Sequence, residues 1–252
     1  MRRSKYWAMP VAHRMDDSND NRISSPDWPM HHHLLACVGL RASILFRQLE
    51  DQNLSQLAAS THERRFAKDE VVILKGDLPS GLFVVASGMV KVACQSPDGG
   101  ERVIDLPGPG QVFGESSFFL DRPYPFMASA VSAACLLHVD GKALLDVLDR
   151  STGFARQLFA HLSWRLYGGM RDIEDLRARG PLQRLIGFLL DQSENARMVA
   201  LGVPKHILAS RLGMTPESLS RCLRELSDSG LIAVSADRIK VIDRKRLADR
   251  FY

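Results

Sequence analysis

Residues 204–228 read PKHILASRLGMTPESLSRCLRELSD, two short helical patterns joined at a glycine. In the first, Ile207, Leu208, Ala209 and Leu212 supply the apolar positions, and Gly213 stands where a left-handed residue must end the helix. In the second, Thr215 suits the N-cap, Pro216 the first helical position, and Glu217 the positive end of the helix dipole. Leu219, Leu223 and Leu226 form a stripe at helical spacing to be buried, and small Ala209 lets the two helices approach. The pattern predicts a helix-turn-helix whose second helix is free to enter the major groove of double-stranded DNA.

Glu217, Ser220 and Arg221 lie largely off the buried stripe. Arg can bond guanine through two N–H groups, Glu can accept from cytosine N4, and Ser can reach a base or a phosphate. Thr215 and Ser218 share that helix start, while Lys205, Arg211, Arg238 and Lys240 suit phosphates and a salt-dependent term. Cys222 lies beside Arg221, where oxidation would hinder DNA contact, although a helix-interior Cys is commonly a small packing residue. Downstream, LIAV (231–234) and RIKVI (238–242) read as a two-stranded wing.

Upstream, Arg179-Gly180-Pro181 breaks a long helical pattern, so a hinge falls at 178–181. Before it, Phe159, Leu162, Leu166, Gly169, Ile173 and Leu176 follow 3,4,3,4,3 spacing, the seam of a coiled coil. A single helix with such a seam needs a partner, and a homodimer is the simplest supply. Gly168-Gly169 interrupts the seam, which suggests that something approaches the backbone there. Further upstream the period changes to short strands: VVIL (71–74), LFVVAS (82–87), MVKVAC (89–94), RVIDL (102–106) and ACLLHV (134–139), broken by turns at Gly76-Asp77, Gly88 and Asp98-Gly99-Gly100. This argues for a β-roll. Residues 34–59 show helix-like apolar spacing.

The α+β chain thus divides into a flexible tail (1–33), a β-roll sensor domain (34–150), a dimerisation helix and hinge (151–180) and a winged-helix DNA-binding domain (181–252). Met1, Met15 and Met30 are all candidate translation starts, and His31 to His33 form a terminal cluster read as solvated, with no metal site assigned. Of 252 residues 45% are hydrophobic and 25% charged, ordinary for a globular protein. The net charge of +4 is uneven: residues 35–150 carry 11 basic and 14 acidic side chains, and residues 181–252 carry 12 and 8. No apolar run approaches a membrane span and no secretory signal opens the chain, so a cytoplasmic address without a membrane partner is expected. Cys37, Cys94, Cys135 and Cys222 are too far apart for a CxxC motif. The chain contains no P-loop, HExxH or G-x-S-x-G motif, which argues against an enzyme.

Over about residues 34–250 this order of parts resembles the Crp/Fnr family of bacterial transcription regulators, most specifically through Gly114-Glu115, the dimer helix and Glu217-Ser218-Leu219-Ser220-Arg221. The E-x-x-S-R pattern is similar to the Fnr-like branch, which implies paired TTGAT-type half-sites and RNA polymerase as a protein partner. It also implies an effector pocket formed by Gly114, Glu115, Gly168, Gly169 and Met170. The Arg-Ser pair that binds the cyclic-nucleotide phosphate is missing from Pro123-Tyr124-Pro125-Phe126-Met127, and Gly169-Met170 replaces the hydroxyl pair of the dimer helix, so cAMP is disfavoured. With Cys37 alone near the start of the chain, an iron–sulfur cluster of the Fnr type is disfavoured as well. The resemblance then narrows to the Dnr-like branch, which implies haem-based sensing of nitric oxide, and the FixK-like branch, which implies no bound cofactor. It extends to Ile242-Asp243-Arg244-Lys245-Arg246-Leu247 for Dnr-like proteins. His31 to His33, His138 and His161 name no haem ligand. The effector stays open, as does a DNA-independent sensor or scaffold of the same fold.

Overall fold

The computed structural model describes residues 28–96, 99–192, 198–200, 203–235 and 238–251. Most of the expected tail with Met15, residue Asp98 of the expected turn, and the tip of the wing lie outside the described residues. The chain opens with helices α1 (Trp28–Ala42) and α2 (Asp51–Ala59), then strands β1 (Thr61–Phe66), β2 (Val71–Ile73), β3 (Gly81–Ser87), β4 (Val90–Gln95), β5 (Glu101–Asp105) and β6 (Val112–Phe113). Helix α3 (Glu115–Leu120), strands β7 (Met127–Ala130) and β8 (Ala134–Asp140), and helix α4 (Gly141–Arg150) complete this part. Two antiparallel four-stranded sheets result, ordered β1-β8-β3-β6 and β2-β7-β4-β5.

The run LFVV in β3 is buried throughout because both faces of its sheet are covered. Leu82 and Val84 meet the helices, packing with Leu40, Phe46, Leu57 and Leu144. Phe83 and Val85 point between the sheets, where Phe83 stacks on Phe113 at 5.2 Å between ring centroids. Three strands of the roll escaped the sequence reading. β1 carries His62, Glu63, Arg64 and Arg65 because it is an outer strand paired only with β8, β6 has two residues, and β7 is built of small side chains.

The helical spacing over 34–59 covers parts of two helices. The first begins at Trp28, inside the stretch read as tail. The chain turns at Ser43, whose hydroxyl accepts from Leu45 N–H, and the Arg41 guanidinium donates to the carbonyls of Arg47 and Leu49 and pairs with Asp51. That turn brings Leu45, Phe46 and Leu49 into the core.

Helix α5 (Thr152–Ala178) starts at Ser151, whose hydroxyl accepts from Phe154 N–H at 3.2 Å. Only Phe154 and Leu158 are fully buried on it. Of the expected seam, Phe159, Leu166, Ile173 and Leu176 are exposed, Leu176 with its Cδ2 against Gly213, and Leu162 packs partly on the roll core. Met170 stands exposed beside Leu166 and Ile173 rather than in a pocket. A Cβ added at Gly168 or Gly169 would meet nothing within 4 Å among the described residues, so none of them presses on the backbone there.

After the break at Arg179-Gly180 come α6 (Pro181–Gln192), β9 (Met198–Ala200), α7 (Lys205–Arg211), α8 (Pro216–Asp228), β10 (Ile232–Val234), β11 (Arg238–Val241) and α9 (Arg244–Asp249). The wing is antiparallel, with β9 as a third strand in the order β10-β11-β9. Leu185, Ile186, Leu189, Leu208, Leu219 and Leu226 lead its core. Among the described residues, no helix is long and apolar enough to cross a membrane.

Candidate nucleic-acid interface

Helix α8 begins as its sequence requires. Thr215 is extended, its Oγ1 accepts from Ser218 N–H at 3.2 Å, and Pro216 follows at the first helical position. Gly213, at φ +62°, makes the turn from α7. Leu219, Cys222, Leu223 and Leu226 are buried against α6 and α7, leaving Glu217, Ser220 and Arg221 exposed on the opposite side. The Thr215 hydroxyl donates to Ser218 Oγ, and Arg221 Nη2 donates to the same oxygen, each at 3.2 Å. Ser218 is therefore a half-buried support for Arg221 rather than a free reading group. The Glu217 carboxyl is held below its usual range, first by a hydrogen bond from the residue's own backbone N–H, so it is an anion at neutral pH.

Lys205 is exposed at the start of α7, but Arg211 turns inward and pairs with Asp172 of α5 at 2.7 Å. Burial raises the Cys222 thiol pKa, with Glu225 adding to it, so the side chain is a packing residue and a poor nucleophile. Two groups were not legible in the sequence. Arg224 is exposed one turn beyond Ser220 and Arg221. Arg184 of α6 donates to the carbonyls of Leu212 (2.8 Å), Gly213 (3.0 Å) and Arg179 (2.7 Å), tying the turn between α7 and α8 to the hinge. Only three-dimensional proximity reveals that role.

A cavity of about 840 Å³ lies between the roll and α5. Gly114, Glu115, Gly168 and Gly169 line it, and Met170 does not. Gly114, at φ +87°, turns the chain into α3 and sends the Glu115 side chain inward, 2% exposed. Arg165 of α5 crosses the cavity wall, with Nε 3.2 Å from Glu115 Oε1 and Nη1 2.6 Å from Asp105 Oδ2. Among the described residues, Glu115 Oε2 and His161 Nε2 are buried there without hydrogen-bond partners.

Residues 63–151 match the cyclic nucleotide-binding domain family and residues 183–250 the Crp-like helix-turn-helix domain family. The transcriptional regulator LdrP of Thermus thermophilus is 30% identical over 187 residues, 71% of this chain and 92% of that protein. The chain belongs to the Crp/Fnr family. The CRP-like cAMP-activated global transcriptional regulator of Mycobacterium tuberculosis is 24% identical over 213 residues, 82% of this chain and 95% of the relative. The structure of FixK2 from Bradyrhizobium japonicum has the same fold, with a TM-score of 0.70, 24% identity and coverage of 75% of this chain and 96% of that one. As a Crp/Fnr protein the chain is a DNA-binding transcription regulator, and α7–α8 is its helix-turn-helix.

Proposed function

We propose that two copies of this regulator pair along α5, read paired TTGAT-type half-sites with α8, and respond to a small effector held between the roll and α5. One observation carries the DNA reading: Glu217, Ser220 and Arg221 stand exposed together on a helix whose other face is buried, with Arg221 steadied by Ser218. Arg221 reads guanine, the Glu217 anion accepts from cytosine N4, and Lys205, Arg224 and Lys240 add phosphate contacts. Pairing is supported by the exposed apolar stripe of Phe159, Leu166, Met170 and Ile173, which a second copy would cover. A two-fold pair would set the α8 helices roughly 34 Å apart, one turn of the duplex.

For the effector, the reading without haem is the better supported. His161 is the imidazole on the cavity wall, yet its Nε2 faces Glu115 Oε1 at 3.9 Å, and Arg165 already holds that oxygen. An iron on that nitrogen would drive the porphyrin face into a paired carboxylate. His138 shares a hydrogen bond with Ser80 Oγ and packs on Phe83 instead. Haem added to the purified protein is therefore expected to keep the Soret band of free haem and to separate from the protein on gel filtration. A sharpened, shifted band that travels with the protein and responds to nitric oxide would favour the haem reading.

The test of DNA reading is fluorescence anisotropy with a duplex carrying two TTGAT-type half-sites and with a scrambled duplex. Arg221→Ala is expected to cost about 1–3 kcal/mol on the first and little on the second. A wild-type protein with no preference between the two would instead favour a DNA-independent scaffold.

A further inference from the structure

Strand β5 is the outer strand of its sheet, so one row of its backbone groups faces away from β4. Near its centre Val103 N–H donates to Ser210 Oγ at 3.0 Å, and the same hydroxyl donates to the Glu101 carbonyl at 3.2 Å. A single side chain from α7 thus meets the donor and the acceptor that an added strand would meet. Around it Ile207 of α7, Val103 and Val131 bury one another, at 7%, 5% and 6% exposure. The next residue, Arg211, holds Asp172 of α5. The helix-turn-helix is therefore fastened to the roll and to α5 through α7, while Glu217, Ser220, Arg221 and Lys205 remain exposed in the fastened arrangement.

We infer that Ser210 is a positioning residue for DNA recognition: its paired hydrogen bonds to the edge of β5 hold α7, and through it α8, at the angle from which two copies meet one duplex. The inference rests on the DNA-reading role of α8 proposed above. The backbone connection to α5 is the short hinge at Arg179-Gly180, which limits separation but leaves rotation to be set by side-chain contacts. Binding two half-sites at once gains affinity only if both helices are already presented in register. A hydroxyl donates and accepts together, so Thr can replace Ser210 in this role and Ala cannot.

The experiment uses the full chain, with Ser210→Ala and Ser210→Thr compared on the paired-half-site duplex and on the scrambled one. Loss of two neutral hydrogen bonds is expected to weaken half-site binding roughly five- to tenfold in Ser210→Ala. Scrambled-duplex affinity should stay at the wild-type value, the thermal midpoint should fall by only a few degrees with the fold intact, and Ser210→Thr should recover most of the loss. Amide exchange at Val103 should quicken in Ser210→Ala alone. Half-site affinity that Ser210→Ala leaves unchanged or improves overturns the positioning role, as does an equal loss on both duplexes. A wild-type protein without half-site preference overturns the DNA-reading proposal itself, and that result appears before any variant is measured.

Discussion

Gly213 shows how much a single residue carries. Its φ of +62° is strained for any L side chain, and a Cβ there would fall 2.5 Å from Leu176 Cδ2 of α5. Gly213→Ala should destabilise the protein by roughly 1–2 kcal/mol from the backbone alone. Adding Leu176→Ala should return only the steric part, measured by thermal unfolding of the single and double variants. Tyr124 makes a second prediction. Burial, then Asp77 and Glu115, push its phenol up to about 12 from the ordinary 10.0. Because the folded value is the higher one, the stabilisation is complete below pH 10 and is lost as pH rises through about 12. Tyr124→Phe lacks this titration, so denaturant unfolding should show wild type losing stability relative to it across that window. The turn glycine was legible in the sequence because a left-handed residue between two helices is a local demand. The approach of Leu176 was not, because 36 intervening residues separate the partners along the chain.

At the scale of elements, α8 and α5 differ in how far sequence reaches. α8 is a self-contained statement: cap, first-position Pro and Leu stripe are all local, and each is found in place. Thr215→Ala should cost about 1 kcal/mol of stability, read as a lower thermal midpoint, because the Ser218 N–H loses its acceptor. The α5 seam is different. Its 3,4 spacing includes Leu162 and Leu176, yet the roll core claims part of the first, and the second stays exposed while its Cδ2 touches the turn at Gly213. The exposed stripe is Phe159, Leu166, Met170, Ile173 and Leu176, so Met170 moves from the expected pocket to the expected pairing face. Periodicity says which residues share a face, but not which of two neighbours will cover that face. Leu166→Glu is expected to give a monomer by sedimentation with its helix content intact. An unchanged dimer mass would show that pairing uses another surface.

For the whole molecule the relevant quantity is where charge lies. The last 72 residues hold 12 basic and 8 acidic side chains, against a slightly acidic stretch over residues 35–150. Replacing Lys205 or Lys240 with Gln should weaken binding to every duplex alike and lower the salt slope by about 1 for each phosphate left without its lysine. Arg221→Ala should instead act on the half-site duplex alone. Sequence alone determined the order of parts, the helix-turn-helix and its exposed face, the wing and the helix break at Arg179-Gly180, because each is specified by neighbours within a few turns or strands. Tertiary structure decided the rest. It turned Arg211 from an expected phosphate partner to Asp172, drew Arg165 across the cavity to Glu115 and Asp105, recruited Arg184 to the turn, and set Ser210 on the edge of β5. The reason is physical. A long polar side chain goes to whichever buried carboxylate, carbonyl or strand edge comes within reach, and chain folding alone brings that partner close.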